Sequence, residues 1–140
     1  MSRILRFFYF YLPPVFYAGL IFYLSSIPDL TLPEWGLDFE DKLIHFLAYF
    51  GLGLLAARAF HASNGGPLSR KDLILTVVVV TLYGATDEIH QIFVPGRYAD
   101  VLDWVSDFLG AVAGTYFYTK LYVVEARILA STRGRIRRNG

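Results

Sequence analysis

Residues 7–28, FFYFYLPPVFYAGLIFYLSSIP, form a run of 22 residues without a charge. About 20 apolar residues suffice to cross the hydrocarbon core of a bilayer. A signal peptide opens in the same way, with Arg3 and Arg6 ahead of the run, but its apolar region is shorter and a small-residue cleavage site follows. The length and aromatic content here predict a retained helix over about 7–28, kinked at Pro13-Pro14. Elsewhere the chain is nearly as apolar: 55% of its residues are hydrophobic and only 18% charged. A chain of 140 residues has no water-soluble core large enough for such runs, so the composition is that of a membrane protein. The absence of cysteine excludes disulfides and thiolate metal sites.

Three more segments need their flanking charges to reach membrane length. Residues 43–57 are the only uncharged ones between Lys42 and Arg58. A helix over about 41–61 therefore has Asp41 near one surface and Arg58 snorkelling to the other. The uncharged run 73–86 must take in Asp87 and Glu88, which predicts a helix over about 72–94, ended by Pro95-Gly96. A fourth helix, about 101–124, must take in Asp103 and Asp107. Its Gly110 and Gly114 are spaced as in helices that approach closely, and they read as packing residues. The connection 25–40 is acidic and broken by prolines, and its Trp35 suits a membrane interface. The fold expected is an all-α membrane bundle of four transmembrane helices in a single domain, with a basic tail, 127–140, at an anionic membrane face. A nucleic-acid role for the tail is the weaker alternative.

Charge placement gives the orientation. With four spans, the termini and the 62–72 turn share a side that holds 11 of the 13 bases and only two acids, Asp72 and Glu125. The other side holds Lys42, Arg97 and the remaining ten acids. Basic loops stay in the cytoplasm, so both termini are expected inside a bacterial plasma membrane and the acids toward its outer face.

The stretch from Leu82 to Ala113 carries the chemistry. It contains five acids, Arg97, His90 and Gln91 within an otherwise apolar sequence. Charge within a membrane costs roughly 2.5–3.5 kcal/mol per residue on insertion scales and marks function by default. Counted at about 1.5 Å per residue from the inner basic anchors, His45 and Asp107 lie about 20 Å up, below the top of a ~30 Å core. Asp41, His45 and Tyr49 share one helical stripe, as do Tyr83, Asp87 and Gln91, and Asp103 and Asp107 share theirs with Gly110 and Gly114. These stripes predict an outward-opening cleft with the 95–100 loop across its mouth.

Asp41, Asp87, Glu88, Asp103 and Asp107 would there face few cations: Lys42, Arg97 and a protonated His45. Such an excess is resolved by protonating some acids, by a divalent cation with oxygen ligands and one imidazole, or by a cationic ligand. Arg97 is suited to clamp a phosphate or carboxylate. Each residue also has a structural reading: His45 as a core histidine, Asp87-Glu88 as an interfacial cap, Asp103 as a first-turn acid favoured by the helix dipole, Arg97 as a partner of Asp100 or lipid phosphate. Tyr49 and Tyr83 read as packing residues, and His61 and His90 have no assigned role.

Taken in order, Ser25-Ser26-Ile27-Pro28, DKLIHFLAYFGLG at 41–53, DEIHQIFVPGR at 87–97 and DWVSDFLGAVAG at 103–114 resemble the VanZ-like family of small bacterial membrane proteins. The resemblance covers about residues 20–116. It implies that Asp41, Lys42, His45, Asp87, Glu88, Gln91, Arg97 and Asp103 are the functional set; many relatives have Asn at the position of Asp107. A named member of that family is associated with teicoplanin resistance, which makes a cell-envelope role the expectation here.

Three classes of function remain open on the sequence alone. One is an enzyme acting on a cell-envelope lipid or glycan intermediate, by general acid–base catalysis or metal-assisted transfer. Another is a binding or transport protein for a lipid headgroup, drug or ion. The third is a structural, partner-recruiting bundle, which the segregation of acids to one end disfavours. No H-E-x-x-H, G-x-S-x-G or nucleotide-binding loop decides between the first two. Neither a cofactor nor an oligomeric state is specified beyond the possible divalent cation. The partners expected are the bilayer and a lipid-linked envelope precursor, with no nucleic acid.

Overall fold

A computed structural model describes residues 3–28, 39–64 and 66–139, with the side chains of those from Ile4 to 124. Trp35, the acids at 29, 34 and 38, and the side chains of the arginine-rich tail lie outside what is described. The chain is helical, with no strand among the described residues. Helix α1 (Arg3–Arg6) passes through a π-helical segment (Phe7–Tyr11) into α2 (Leu12–Ser25). Then follow α3 (Glu40–Asn64), α4 (Arg70–Gln91) and α5 (Val101–Asn139).

Sequence explains the local departures. Pro13 and Pro14 fall at the start of α2 and have no N–H to give to Tyr9 and Phe10. The wider π register just before them takes up the mismatch, with the Leu12 N–H bonded to the Phe7 carbonyl. Ser69 starts α4 with a capping box, accepting from the Asp72 N–H while Asp72 accepts from the Ser69 N–H. That helix ends at Gln91 rather than near 94, and Ile92–Gly96 turn instead. The Arg97 N–H bonds the Val94 carbonyl at 3.1 Å, and Gly96 has φ 75°. Proline second and a positive-φ glycine third is the type II pattern. At α5 the helix runs on past 124 to Asn139. No proline interrupts it, and Ala, Leu, Arg and Glu there favour the helix enough to carry the single Gly134.

Three helical stretches are long and apolar enough to cross a membrane: Ile4–Ser25, Glu40–Asn64 and Arg70–Gln91. Asp103, Asp107, Lys120 and three tyrosines make α5 more polar along its described part. The molecule is turned out in the way a lipid-solvated protein is. Phe16, Leu82 and Ile74 are exposed, whereas Asp72, Asp87, Glu88, Asp103 and Asp107 are buried. Exposed apolar surface of this extent needs a cover, and a bilayer supplies it. This is a membrane protein.

Helix α5 packs chiefly along α3, with α4 beside both. Glycines let the two backbones approach closely along the seam. A Cβ on Gly53 would sit 2.7 Å from the Ala111 carbonyl oxygen, and Cβ atoms on Gly110 and Gly114 would meet the Phe46 and Phe50 carbonyls of α3. Tyr49, Leu52, Ala56, Val80 and Ala111, with Ile21 from α2, form the small apolar core. At one end of the bundle the Arg6 guanidinium donates to the Ala62 carbonyl, Arg58 stacks over the Tyr9 ring at 4.2 Å, and His61 meets the Tyr118 hydroxyl at 2.7 Å. Among the described side chains the acids other than Asp72 gather at the other end.

Candidate functional site

Helix α3 contributes Asp41, Lys42 and His45 from its first turns, and the α3–α5 seam brings Asp103 and Asp107 directly opposite. Lys42 is the hub of the outer part. Its Nζ lies 2.6 Å from Asp100 Oδ2, 2.8 Å from Asp103 Oδ1 and 3.4 Å from Asp41 Oδ2. Asp100 does double duty, because its Oδ1 also accepts the Leu102 N–H at 2.8 Å and so caps α5. The Lys42 ammonium, then the Leu102 amide, hold the Asp100 carboxyl below the usual carboxylate range.

Deeper in, His45 Nδ1 is 2.9 Å from Asp107 Oδ1 and 4.0 Å from Glu88 Oε1, while Nε2 is 4.0 Å from Asp103 Oδ2. Asp107 is wholly buried and lies against Gly84, where a Cβ would be 2.9 Å from its Oδ2. Helix α4 can come this near the aspartate only because residue 84 is glycine. The tautomer of His45 decides what the ring does. With the proton on Nδ1 it donates to Asp107. With the proton on Nε2, a lone pair faces two carboxylates.

Asp87 and Glu88 diverge. Glu88 Oε2 accepts the Asp100 N–H at 2.8 Å, which turns its other oxygen toward His45. Asp87 takes the Gln91 amide at 3.3 Å and points toward α2. Gln91 is buried beside it. Arg97 is not paired with Asp100. Its Nε and Nη2 point at the Ile27 and Leu24 carbonyls, each at 3.4 Å, at the C-terminal end of α2. The turn Val94–Arg97 places it there.

Two cavities meet at this end. One, of about 350 Å³, is polar and is lined by residues including Lys42, Tyr98, Asp100 and Asp103. The other, of about 210 Å³, is walled by Ile21, Leu24, Ile44 and Ala48, with Asp87 and Ser25. Asp41, His45, Gln91 and Arg97 line both. Glu88 and Asp107 line neither, and stand behind His45. Further along α2, a 420 Å³ groove is almost wholly apolar, lined by Val15, Ala18, Leu52 and Val80 among others. Tyr83, which lines this groove, donates to the Ala18 carbonyl at 2.7 Å.

Sequence reasoning gave Asp100 no part beyond pairing with Arg97, and gave none to Gly84. A local signal existed for Asp100, which precedes an apolar helical run as a capping aspartate does. None existed for Gly84, whose importance comes from the approach of α4 to Asp107. His90, without an assigned role, lies 3.0 Å from Ser26 Oγ and 4.4 Å from the Phe22 ring, tying α4 to the end of α2.

A family model described as VanZ/LLP1 matches residues 23–124, a span that contains every residue of the two cavities except Ile21. No curated protein and no solved structure matches the chain.

Proposed function

The chain belongs to the VanZ/LLP1 family, and from that premise we propose that it is a bacterial plasma-membrane protein that binds a cell-envelope lipid or glycan intermediate and acts on it. In this reading α5 is a fourth span, both termini are cytoplasmic, and the cavities open at the outer face. The observation that carries it is the join between the polar cavity and the apolar one through four shared residues. A pocket with charged groups at one end and aliphatic walls at the other suits a ligand with a polar head and a hydrocarbon chain.

Lys42, Arg97, His45 and the carboxylates around them supply what a phosphate-bearing headgroup needs. Arg97, which has no carboxylate within salt-bridge reach among the described residues, gives it electrostatic purchase. His45 and the acids offer proton transfer or, with a metal, hydrolysis or group transfer at a phosphate ester. The chain of the ligand would lie along α2 between Ile21 and Leu24. An effect on teicoplanin susceptibility would follow from the altered or sequestered intermediate, without glycopeptide binding by this protein.

The test is photo-crosslinking of the reconstituted protein with a diazirine-bearing polyprenyl phosphate, followed by chromatography of the radiolabelled lipid. The expected result is a label on peptides of α2 and α3, competed by unlabelled lipid and weakened at least about tenfold in Arg97→Gln. A converted lipid product identifies an enzyme, and saturable labelling without product identifies a binding or transport protein. No competable label would contradict the proposal.

A further inference from the structure

Three buried acids at this end, Asp87, Glu88 and Asp107, have no cation of their own among the described residues. Lys42 answers Asp41, Asp100 and Asp103, and Asp87 takes the Gln91 amide. Glu88 and Asp107 share one neutralising partner, the His45 imidazole. Asp107 is 0% exposed and Glu88 6%. Glu88 Oε1, which faces His45, has no hydrogen-bond partner; Asp107 meets His45 through Oδ1, and its Oδ2, against Gly84, has none. The Glu88 oxygen is held in place, because the Asp100 amide fixes its twin at 2.8 Å. Buried carboxylate oxygens left bare in this way are costly unless something positive meets them.

We infer that His45, Glu88 and Asp107 bind a divalent transition-metal ion, Zn²⁺ or Mn²⁺, between α3, α4 and α5. One ligand atom from each residue lies within 4.8 Å of the other two. Nitrogen and oxygen ligands sit about 2.0–2.2 Å from such an ion, so two of them stand no more than roughly 4.4 Å apart. The separations of His45 Nδ1 from Asp107 Oδ1 and Glu88 Oε1, 2.9 and 4.0 Å, fall within that limit. Two carboxylates, a neutral imidazole and one divalent ion sum to zero charge, which removes the penalty of holding two anions at membrane depth. The donor set selects the ion. Calcium takes 6–8 oxygens and magnesium keeps its waters, whereas imidazole with carboxylate suits zinc and manganese. Nδ1 then carries the lone pair and Nε2 the proton, directed toward the side of Asp103. The site does not depend on which lipid, if any, the cavities hold.

The experiment is equilibrium dialysis of the chelator-stripped protein in detergent against Zn²⁺, Mn²⁺, Mg²⁺ and Ca²⁺, with pulsed EPR of the Mn²⁺-loaded form. One Zn²⁺ or Mn²⁺ per chain is expected, not displaced by excess Mg²⁺ or Ca²⁺, and the Mn²⁺ spectrum shows coupling to a single ¹⁴N. Removing an outer-sphere partner of a metal costs about 10–100-fold in affinity, so Glu88→Gln and Asp107→Asn, which alter ligands, weaken binding by at least about 100-fold. His61→Ala and His90→Ala retain it; His61 is about 24 Å along α3 from His45. The wild-type spectrum decides even if a variant misfolds. No stoichiometric binding, a Mn²⁺ signal without nitrogen coupling, or binding lost with His61 or His90 but kept in Glu88→Gln would overturn the inference.

Discussion

Gly114→Val is expected to abolish stable folding, at a cost of about 3 kcal/mol or more. A Cβ at 114 would land on the Phe50 carbonyl of α3 and lie 2.9 Å from the Leu54 nitrogen. Both obstacles are backbone, so no rotamer change relieves them. The helices would have to part, and with them the seam at Gly53 and Gly110 and the alignment of His45 with Asp107. Small residues at helix contacts in membranes act through this close approach. Gly19 of α2 is the control, since a Cβ there meets nothing within 4 Å. Size-exclusion profiles and melting curves in detergent check the pair: Gly19→Val should remain monodisperse, and Gly114→Val should not. A Gly114→Val protein melting within a degree or two of wild type would show that the seam is not as close as described.

The second large effect is expected of Lys42→Met. Among the described contacts it leaves Asp41 and Asp100 with no cation within salt-bridge reach, and Asp103 with the His45 ring alone, at 4.0 Å. Breaking a buried ion pair costs about 3–5 kcal/mol. Asp103 is buried, but the Lys42 side chain is 30% exposed, so solvent screening brings the expectation to about 2 kcal/mol. Asp103→Leu on the same background should recover part of the loss by removing the charge left behind. The acid limb of stability should change as well. A carboxyl held low in the folded state stabilises the fold above its unfolded pKa of about 3.9, and that contribution vanishes as pH falls through the folded value. Asp100 is such a group because of Lys42. Wild type should therefore lose stability below about pH 4 more steeply than Lys42→Met does. Melting at pH 7 and along an acid series reads both effects. An unchanged pH 7 melting point would mean that the lysine is dispensable to the fold.

Much of this arrangement is legible in the sequence because helical periodicity acts through few residues. The spacing of Asp41 and His45, and of Asp103 and Asp107, sets each pair on one stripe, and the structure brings the two stripes face to face. The all-helical class follows from the same run lengths. Other features depend on contacts that no local pattern encodes. The divergence of Asp87 and Glu88 is set by where the Asp100 amide and Gln91 stand, not by their own spacing. Arg97 is aimed at the α2 carbonyls by a glycine with positive φ and by the folding-back of α2, which lies some 70 residues earlier in the chain. Glycines 110 and 114 read correctly as packing residues because their role needs only a partner helix. Gly84 was silent because its role needs Asp107. Helix α5 extends past the 124 expected from span length, because charge ends an apolar run but gives helix propensity no reason to stop.

The central claim is that the buried acids and His45 are held for a ligand and are not polar glue between helices. Thermal unfolding in detergent of wild type, Asp87→Asn and Glu88→Gln, each with chelator, tests it most directly. Both substitutions keep the shape and the one hydrogen bond that each carboxylate accepts, and both remove a charge whose second oxygen has no partner. Sites kept for function commonly store such unfavourable charge, and neutralising it stabilises the fold. Each amide should raise the melting temperature by about 3 °C or more, corresponding to roughly 1 kcal/mol. If both amides instead melt several degrees below wild type in chelator, the carboxylates are structural partners and the site assignment fails.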